Sequence, residues 1–146
     1  EYLYLSMKAY FLNLNLNGFA TWMDVQVQEE HAHAMGMFDY VIERGGKVEL
    51  MAIDKPETNW TTPLEVFKAV LKHEEYVTSS INKIYEEATN EKDYRTLEFL
   101  NWFIKEQAEE EKSAQELITK MELTDHNNRG IYLLDRELSK RTYKPA

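Results

Sequence analysis

The chain contains few residues that interrupt helices, and this scarcity limits its possible folds more than any other feature. Five glycines and three prolines occur among 146 residues. They are Gly18, Gly36, Gly45, Gly46, Gly130, Pro56, Pro63 and Pro145. Between most of these breaks the apolar residues recur every three or four positions, which is the period of an amphipathic helix. The pattern predicts four long helices and a short fifth, at about residues 1–14, 17–44, 63–88, 93–121 and 131–140.

Local signals mark where several of these helices start. Asn17 is a favourable N-cap for the second helix. Thr62 followed by Pro63 and Glu65 predicts the start of the third. The first helix shows no capping residue, and its apolar pattern is already running at the first position. We therefore expect the first turns of this helix to lie upstream of Glu1.

The lengths of the connections predict how the helices are arranged. Helices one and two, and helices three and four, are joined by short links, whereas residues 45–62 form a long irregular connection. The stretch KVELMAI within it is too short for a convincing strand, so we expect an extended loop. An all-α fold follows, a four-helix up-down bundle with one long crossover connection and a short fifth C-terminal helix. Its length suits a single domain covering residues 1–146.

Composition excludes several function classes. Acidic residues number 26 against 17 lysines and arginines, which gives a net charge of −9 and disfavours nucleic acid or an anionic membrane as a partner. The absence of cysteine excludes disulfide scaffolds, iron–sulfur sites and thiol catalysis. No apolar run approaches the roughly 20 residues that span a bilayer. We expect neither a membrane span nor a secretion leader, and a cytoplasmic location.

Polar residues interrupt the apolar stripes of three helices. They are Glu30 and His33 in the second helix, Glu74 in the third, and Gln107 and Glu110 in the fourth. A buried carboxylate without a partner costs several kcal/mol, so such positions are usually paired or bind a metal. Each lies roughly 11 to 17 residues into its helix, which at about 1.5 Å per residue predicts one layer near the middle of the bundle.

The residue types in this layer indicate a particular class of metal. Carboxylate oxygens with one imidazole suit Fe(II), Mn(II) or Zn(II). The spacing Glu30-x-x-His33 places two ligands on one face of a helix, and a glutamate there can bridge two ions. This is half of the carboxylate arrangement that holds two irons inside helical bundles. The alternative, a four-helix interaction module without metal, requires the inward acids to be accidental.

Several longer stretches carry a family resemblance. They are YLYLSMKAYF, QEEHAHAM, LKHEE, DYRTLEFLNWFIKEQAEEE and LLDREL. Together they resemble the ferritins over essentially the whole chain, specifically the prokaryotic type that contains no haem. The resemblance implies a homo-oligomeric cage of 24 subunits that oxidises Fe(II) with oxygen or hydrogen peroxide and stores ferric mineral inside.

The resemblance also implies roles for individual residues. Glu30 would bridge the two irons, and His33 would bind the first iron. The second iron would be bound by Glu74 and Glu110, with Gln107 beside the pair. The remaining implied residues are Glu29, Glu106 and Glu109 as ligands of an accessory third iron, and Tyr4 and Trp102 as nearby aromatic residues that can supply an electron.

One ligand that the resemblance implies has no counterpart in this sequence. The first-helix glutamate of the family would precede Tyr4 by about seven residues, upstream of Glu1. Because Glu1 lies only three positions before Tyr4, we do not assign it that role. Two functional hypotheses therefore stay open: an iron-storage ferroxidase, and a storage shell whose oxidation centre is impaired or absent.

Overall fold

A computed structural model of the chain describes residues 1–124 and 127–145. Asp125 and His126, between the predicted fourth and fifth helices, and Ala146 lie outside the described residues. The described residues form five helices and no strand, which confirms the all-α prediction. The helices are α1 (Tyr2–Asn13), α2 (Asn17–Glu43), α3 (Pro63–Asn90), α4 (Tyr94–Leu123) and α5 (Asn128–Leu138). Residues 47–60 are irregular, as predicted for the connection that contains KVELMAI.

Two of the long helices begin with side-chain caps from neighbouring residues. Thr62 Oγ1 accepts a hydrogen bond from the backbone N–H of Glu65 (3.2 Å) at the start of α3, as predicted. Asp93 Oδ1 accepts one from Thr96 N–H (3.2 Å) at the start of α4. Each bond satisfies a backbone donor that the first turn leaves without a helical partner.

The predicted cap of α2 is wrong. Asn17 is the first residue of the helix, and the N-cap position belongs to Leu16, whose side chain caps nothing. Instead, Asp135 Oδ1 of α5 accepts a hydrogen bond from the backbone N–H of Phe19 at 3.0 Å. A carboxylate from a distant helix thus supplies the negative group that the start of α2 favours.

The described residues divide into two compact units, and the first contains residues 1–60 and 127–145. Its α1 and α2 are antiparallel, because Phe11 stacks on Phe19 (4.9 Å between ring centroids) while Lys8 Nζ lies 2.6 Å from Asp24 Oδ1. The α5 helix packs on the start of α2 at Gly18. A Cβ atom there would lie 1.7 Å from the carbonyl oxygen of Asp135, so this contact requires glycine.

The second unit contains residues 61–124, and its α3 and α4 form an antiparallel pair. The link between these helices is short, and Lys92 adopts a left-handed conformation in it (φ 55°). Asp93 N–H donates to the carbonyl oxygen of Ala88 at 2.8 Å, which closes the turn. Farther along the pair, Tyr85 Oη donates to Asn101 Oδ1 at 3.3 Å.

Several residues of the predicted apolar stripes are exposed instead of buried. They are Leu14, Ala34, Val41 and Ile84. Ile84 is 48% exposed, whereas Ile81 and Ala88 of the same helix are buried. Periodicity identifies the face of a helix, but the depth to which that face is buried depends on what covers it.

One part of the first unit carries many exposed apolar side chains, Val41 among them. It occupies the C-terminal half of α2 and the connection after it, and we call it the apolar surface: Met35, Phe38, Val41, Ile42, Leu50, Met51 and Ile53. Leu50 and Met51 are 88% and 86% exposed. Among the described helices, none is both long enough and apolar enough to cross a membrane.

Candidate functional site

Glu30 and His33 share one face of α2, as their spacing predicts. Their side chains are only 12% and 13% exposed, and Glu30 Oε1 lies 3.5 Å from Nδ1 of His33. That oxygen is shielded from solvent. The separation exceeds that of a good hydrogen bond, so the carboxylate and the imidazole lie side by side in a sheltered position.

The second unit contains a polar set of its own. Glu74 of α3 is fully buried, and Gln107 of α4 is 3% exposed. Gln107 Nε2 donates to Glu74 Oε2 (3.0 Å) and lies within 3.2 Å of the Glu74 carbonyl oxygen. The same nitrogen is 3.3 Å from Thr78 Oγ1. The amide of α4 therefore holds one oxygen of the α3 carboxyl group in place.

Glu110 completes the acidic residues predicted in the core. It lies one turn after Gln107 on α4 and is also buried. The predicted burial of Glu74, Gln107 and Glu110 is thus confirmed. Acidic side chains are rarely buried to this degree unless they are paired or bind a metal.

The residues expected at an accessory site differ in exposure. Glu106 is half-buried and Glu109 is exposed on α4. Glu29 is mostly covered, and its Oε2 lies 2.6 Å from the guanidinium nitrogen Nη2 of Arg141. This ion pair was not predicted, because Arg141 follows α5 and stands 112 positions away in sequence.

Arg141 also contacts two further residues of α2. Its Nη2 donates to Gln26 Oε1 at 2.5 Å, and its Nη1 donates to the carbonyl oxygen of Trp22 at 3.2 Å. The guanidinium carbon lies 4.4 Å from the centre of the Trp22 ring. Gln26 is fully buried and was the one signal available in the sequence, a polar residue in the stripe of α2 four positions before Glu30.

The two aromatic residues named with the site lie in different surroundings. Tyr4 of α1 is fully buried, whereas Trp102 of α4 is 40% exposed. Helical spacing alone would place Trp102 in the core, and its exposure shows that it does not lie there. Glu1, which received no ligand role, places its Oε2 3.3 Å from Nδ1 of the exposed His31.

The first unit covers the side chains of Gln26, Glu30 and His33. The second buries those of Glu74, Gln107 and Glu110. Carboxylate and imidazole groups bind Fe(II), Mn(II) and Zn(II), and the chain has no thiolate to favour softer metals. Within α2, Glu30 and His33 offer ligands of these two kinds on one face of the helix.

Comparison with known proteins gives the relatives of this chain. Residues 1–124 match the family model of the ferritin-like domain. The bacterial non-heme ferritin of Bacteroides fragilis is 43% identical over 139 residues, which is 95% of this chain and 86% of that protein. The bacterial non-heme ferritin of Campylobacter jejuni is 35% identical over 134 residues, 92% of this chain and 80% of the relative.

Solved structures show the same similarity. A humanized archaeal ferritin superimposes with a TM-score of 0.97 at 48% identity and covers 99% of this chain and 87% of that one. The open-pore ferritin of Archaeoglobus fulgidus gives a TM-score of 0.95 at 48% identity, with 97% and 87% covered. The predicted bundle with a short C-terminal helix and the resemblance to the haem-free prokaryotic type are both confirmed.

Proposed function

The chain belongs to the ferritin family, and from that premise we propose that it stores iron and oxidises Fe(II) as the first step of storage. The observation that carries the proposal is the burial of acidic side chains on three different helices. Glu74 and Glu110 are buried, and Glu30 is nearly so beside His33. A chain that needed only a stable core would replace these groups with apolar residues, since burying carboxylates costs free energy.

The ligand roles that the resemblance implies complete the proposal. Glu30 bridges two irons, His33 binds the first, and Glu74 and Glu110 bind the second. The hydrogen bond from Gln107 Nε2 to Glu74 Oε2 orients that carboxyl group. Supporting groups of this kind typically fix the geometry of metal-binding side chains.

The chemistry is an oxidation in which iron is the substrate. Two Fe(II) ions each lose one electron, and either oxygen or hydrogen peroxide accepts the pair. Carboxylate ligands favour Fe(III) over Fe(II), because the higher charge binds hard anionic oxygens more strongly. Few imidazoles and no thiolates hold the product, so the ferric ions can move on to the mineral. Tyr4, which is buried, and Trp102 are proposed to supply electrons when the two irons do not provide enough.

Further parts of the proposal concern additional iron and the assembly. Glu29, Glu106 and Glu109 are proposed to bind an accessory third iron. The apolar surface of α2 and the connection after it supports homo-oligomerisation, because contact with other subunits would remove its exposed side chains from water. We propose a 24-subunit cage in the cytoplasm, without haem.

Stopped-flow oxidation of two Fe(II) per subunit tests the proposal. Glu30→Ala combined with His33→Ala is expected to remove the fast phase, because it deletes the bridging and imidazole ligands, while size-exclusion chromatography shows an unchanged assembly. His31→Ala, which alters an exposed histidine of the same helix, is the matched control and keeps the fast phase.

The same experiment separates the ferroxidase from a storage shell without an active centre. Only the ferroxidase gives a fast phase in the parent protein. A double variant that oxidises Fe(II) at the parent's initial rate would show that the ligand assignment is wrong.

A further inference from the structure

Arg141 holds the segment after α5 against three residues on one face of α2. Trp22, Gln26 and Glu29 are spaced by four and three positions, so they follow one another along that face. The guanidinium group donates to the carbonyl oxygen of Trp22 and to the side-chain oxygens of the other two. Residues 139–145 are thereby tied to the helix that carries Glu30 and His33.

The guanidinium group of Arg141 pairs with the Glu29 carboxylate, to which the proposed function assigns an Fe(II) ion. Glu29 Oε2 lies 2.6 Å from Arg141 Nη2, which is the distance of a short charge-assisted hydrogen bond. An Fe(II) ion on the same carboxylate would be repelled by the guanidinium charge, since like charges a few ångströms apart interact unfavourably in a partly covered site.

We propose that Arg141 competes with the third Fe(II) for the Glu29 carboxylate, so the accessory site opens only when the segment after α5 moves off α2. This inference rests on the proposed function, which gives Glu29 its ligand role. Arg141 acts as a positioning residue that keeps the Glu29 carboxylate paired until the local Fe(II) concentration rises. Binding of the third iron and release of residues 139–145 are then reciprocally coupled.

The strength of the Arg141 contacts suits a reversible device. The two charged side chains are 24% and 22% exposed, so water partly screens the ion pair and the displaced guanidinium can be solvated. Gln26 is buried and its amide stays on α2 when the segment leaves. Release breaks the contacts of Arg141 and requires no unfolding of a helix, because α5 ends at Leu138.

Anaerobic Fe(II) titration of the assembled protein tests the competition directly. Arg141→Gln is expected to bind the weakest of three Fe(II) per subunit about tenfold more tightly than the parent, because the competing charge is gone. Arg136→Gln is the matched control. It removes the same charge from the exposed surface of α5 and leaves all the affinities unchanged.

Hydrogen exchange of residues 139–145 in the parent protein supplies a measurement that needs no variant. Anaerobic Fe(II) at a concentration that fills the third site is expected to accelerate exchange in this segment, whereas filling only the first two positions leaves it unchanged. Glu29→Gln, which removes the charge that Arg141 pairs with, is expected to accelerate exchange without iron.

The outcomes distinguish this inference from the proposed function. A parent that oxidises two Fe(II) rapidly but binds no third iron would overturn the competition and leave the ferroxidase intact. Parent affinity for the third iron in Arg141→Gln, or exchange of residues 139–145 that is insensitive to Fe(II), would overturn it as well. A parent that binds no Fe(II) would contradict both proposals.

Discussion

The two units of the chain bury polar side chains by different means. In the second unit, Glu74 and Gln107 come from two long helices that follow one another in sequence, and they bond directly. In the first unit, Gln26 and Glu29 of α2 are joined by Arg141, which lies more than a hundred positions away. The second unit thus joins two helices that are adjacent in sequence, whereas the first holds a remote segment in place.

The contact between α5 and α2 is expected to be the most sensitive part of the first unit. Gly18→Ala would place a Cβ atom 1.7 Å from the Asp135 carbonyl oxygen, so α5 must shift. We expect a loss of about 3 kcal/mol in the free energy of unfolding, measured by denaturant titration. Gly45→Ala is the control, because its Cβ meets nothing within 4 Å and only its positive φ costs about 1 kcal/mol. Equal losses for the two variants would show that α5 does not press on α2.

Arg141 is expected to contribute the next largest stabilising effect. Arg141→Gln removes its charge-assisted hydrogen bonds and its contact with the Trp22 ring, and should lower the free energy of unfolding by about 2 kcal/mol. Arg136→Gln on the surface of α5 should change it by less than about 0.5 kcal/mol. A loss as small as that of the control would show that Arg141 does not stabilise the first unit.

In the second unit, replacing the buried Glu74 by an apolar residue is expected to raise the free energy of unfolding instead of lowering it. Glu74→Leu replaces a buried carboxyl group by an apolar side chain, and Gln107 Nε2 keeps the Glu74 backbone carbonyl and Thr78 Oγ1 as neighbours. We expect the iron-free protein to gain about 1 to 2 kcal/mol while iron binding is impaired. The exposed Glu75→Leu is the control for added apolar surface. A loss of stability in Glu74→Leu would mean that this carboxyl group is structural.

The smallest effect concerns a local contact in the first unit. Hydrogen bonds from the backbone N–H groups of Asn59 and Thr58 hold the pKa of Glu57 below its ordinary value of 4.5. Because the folded pKa is depressed, the stabilisation is present above the ordinary pKa and is lost as the pH falls through the folded pKa. The stability difference between the parent and Glu57→Gln should therefore shrink on acidification. A difference that stays constant or grows would contradict the assignment.

Features encoded by neighbouring residues could be predicted from the sequence. Thr62 caps α3 from three positions before the bonded N–H, and the burial of Glu74, Gln107 and Glu110 follows from the helical period. These predictions succeed because the signals and their partners lie on the same helix or share one period.

Contacts between remote segments could not be predicted in the same way. Asp135 replaces Asn17 as the side chain that bonds to the start of α2, and Arg141 reaches Glu29 from an irregular segment that has no period. Their partners depend on where α5 packs, which no local pattern encodes. Ile84 and Trp102 are exposed despite helical spacing, because the period does not report what covers a face.

An iron anomalous-scattering map of crystals of the assembled protein, grown and soaked with Fe(II) under anaerobic conditions, tests the central claim most directly. The account predicts iron peaks bound by the carboxylates of Glu30, Glu74 and Glu110, with one peak within coordination distance of His33. Iron confined to exposed acidic side chains, with no peak at these residues, would contradict it.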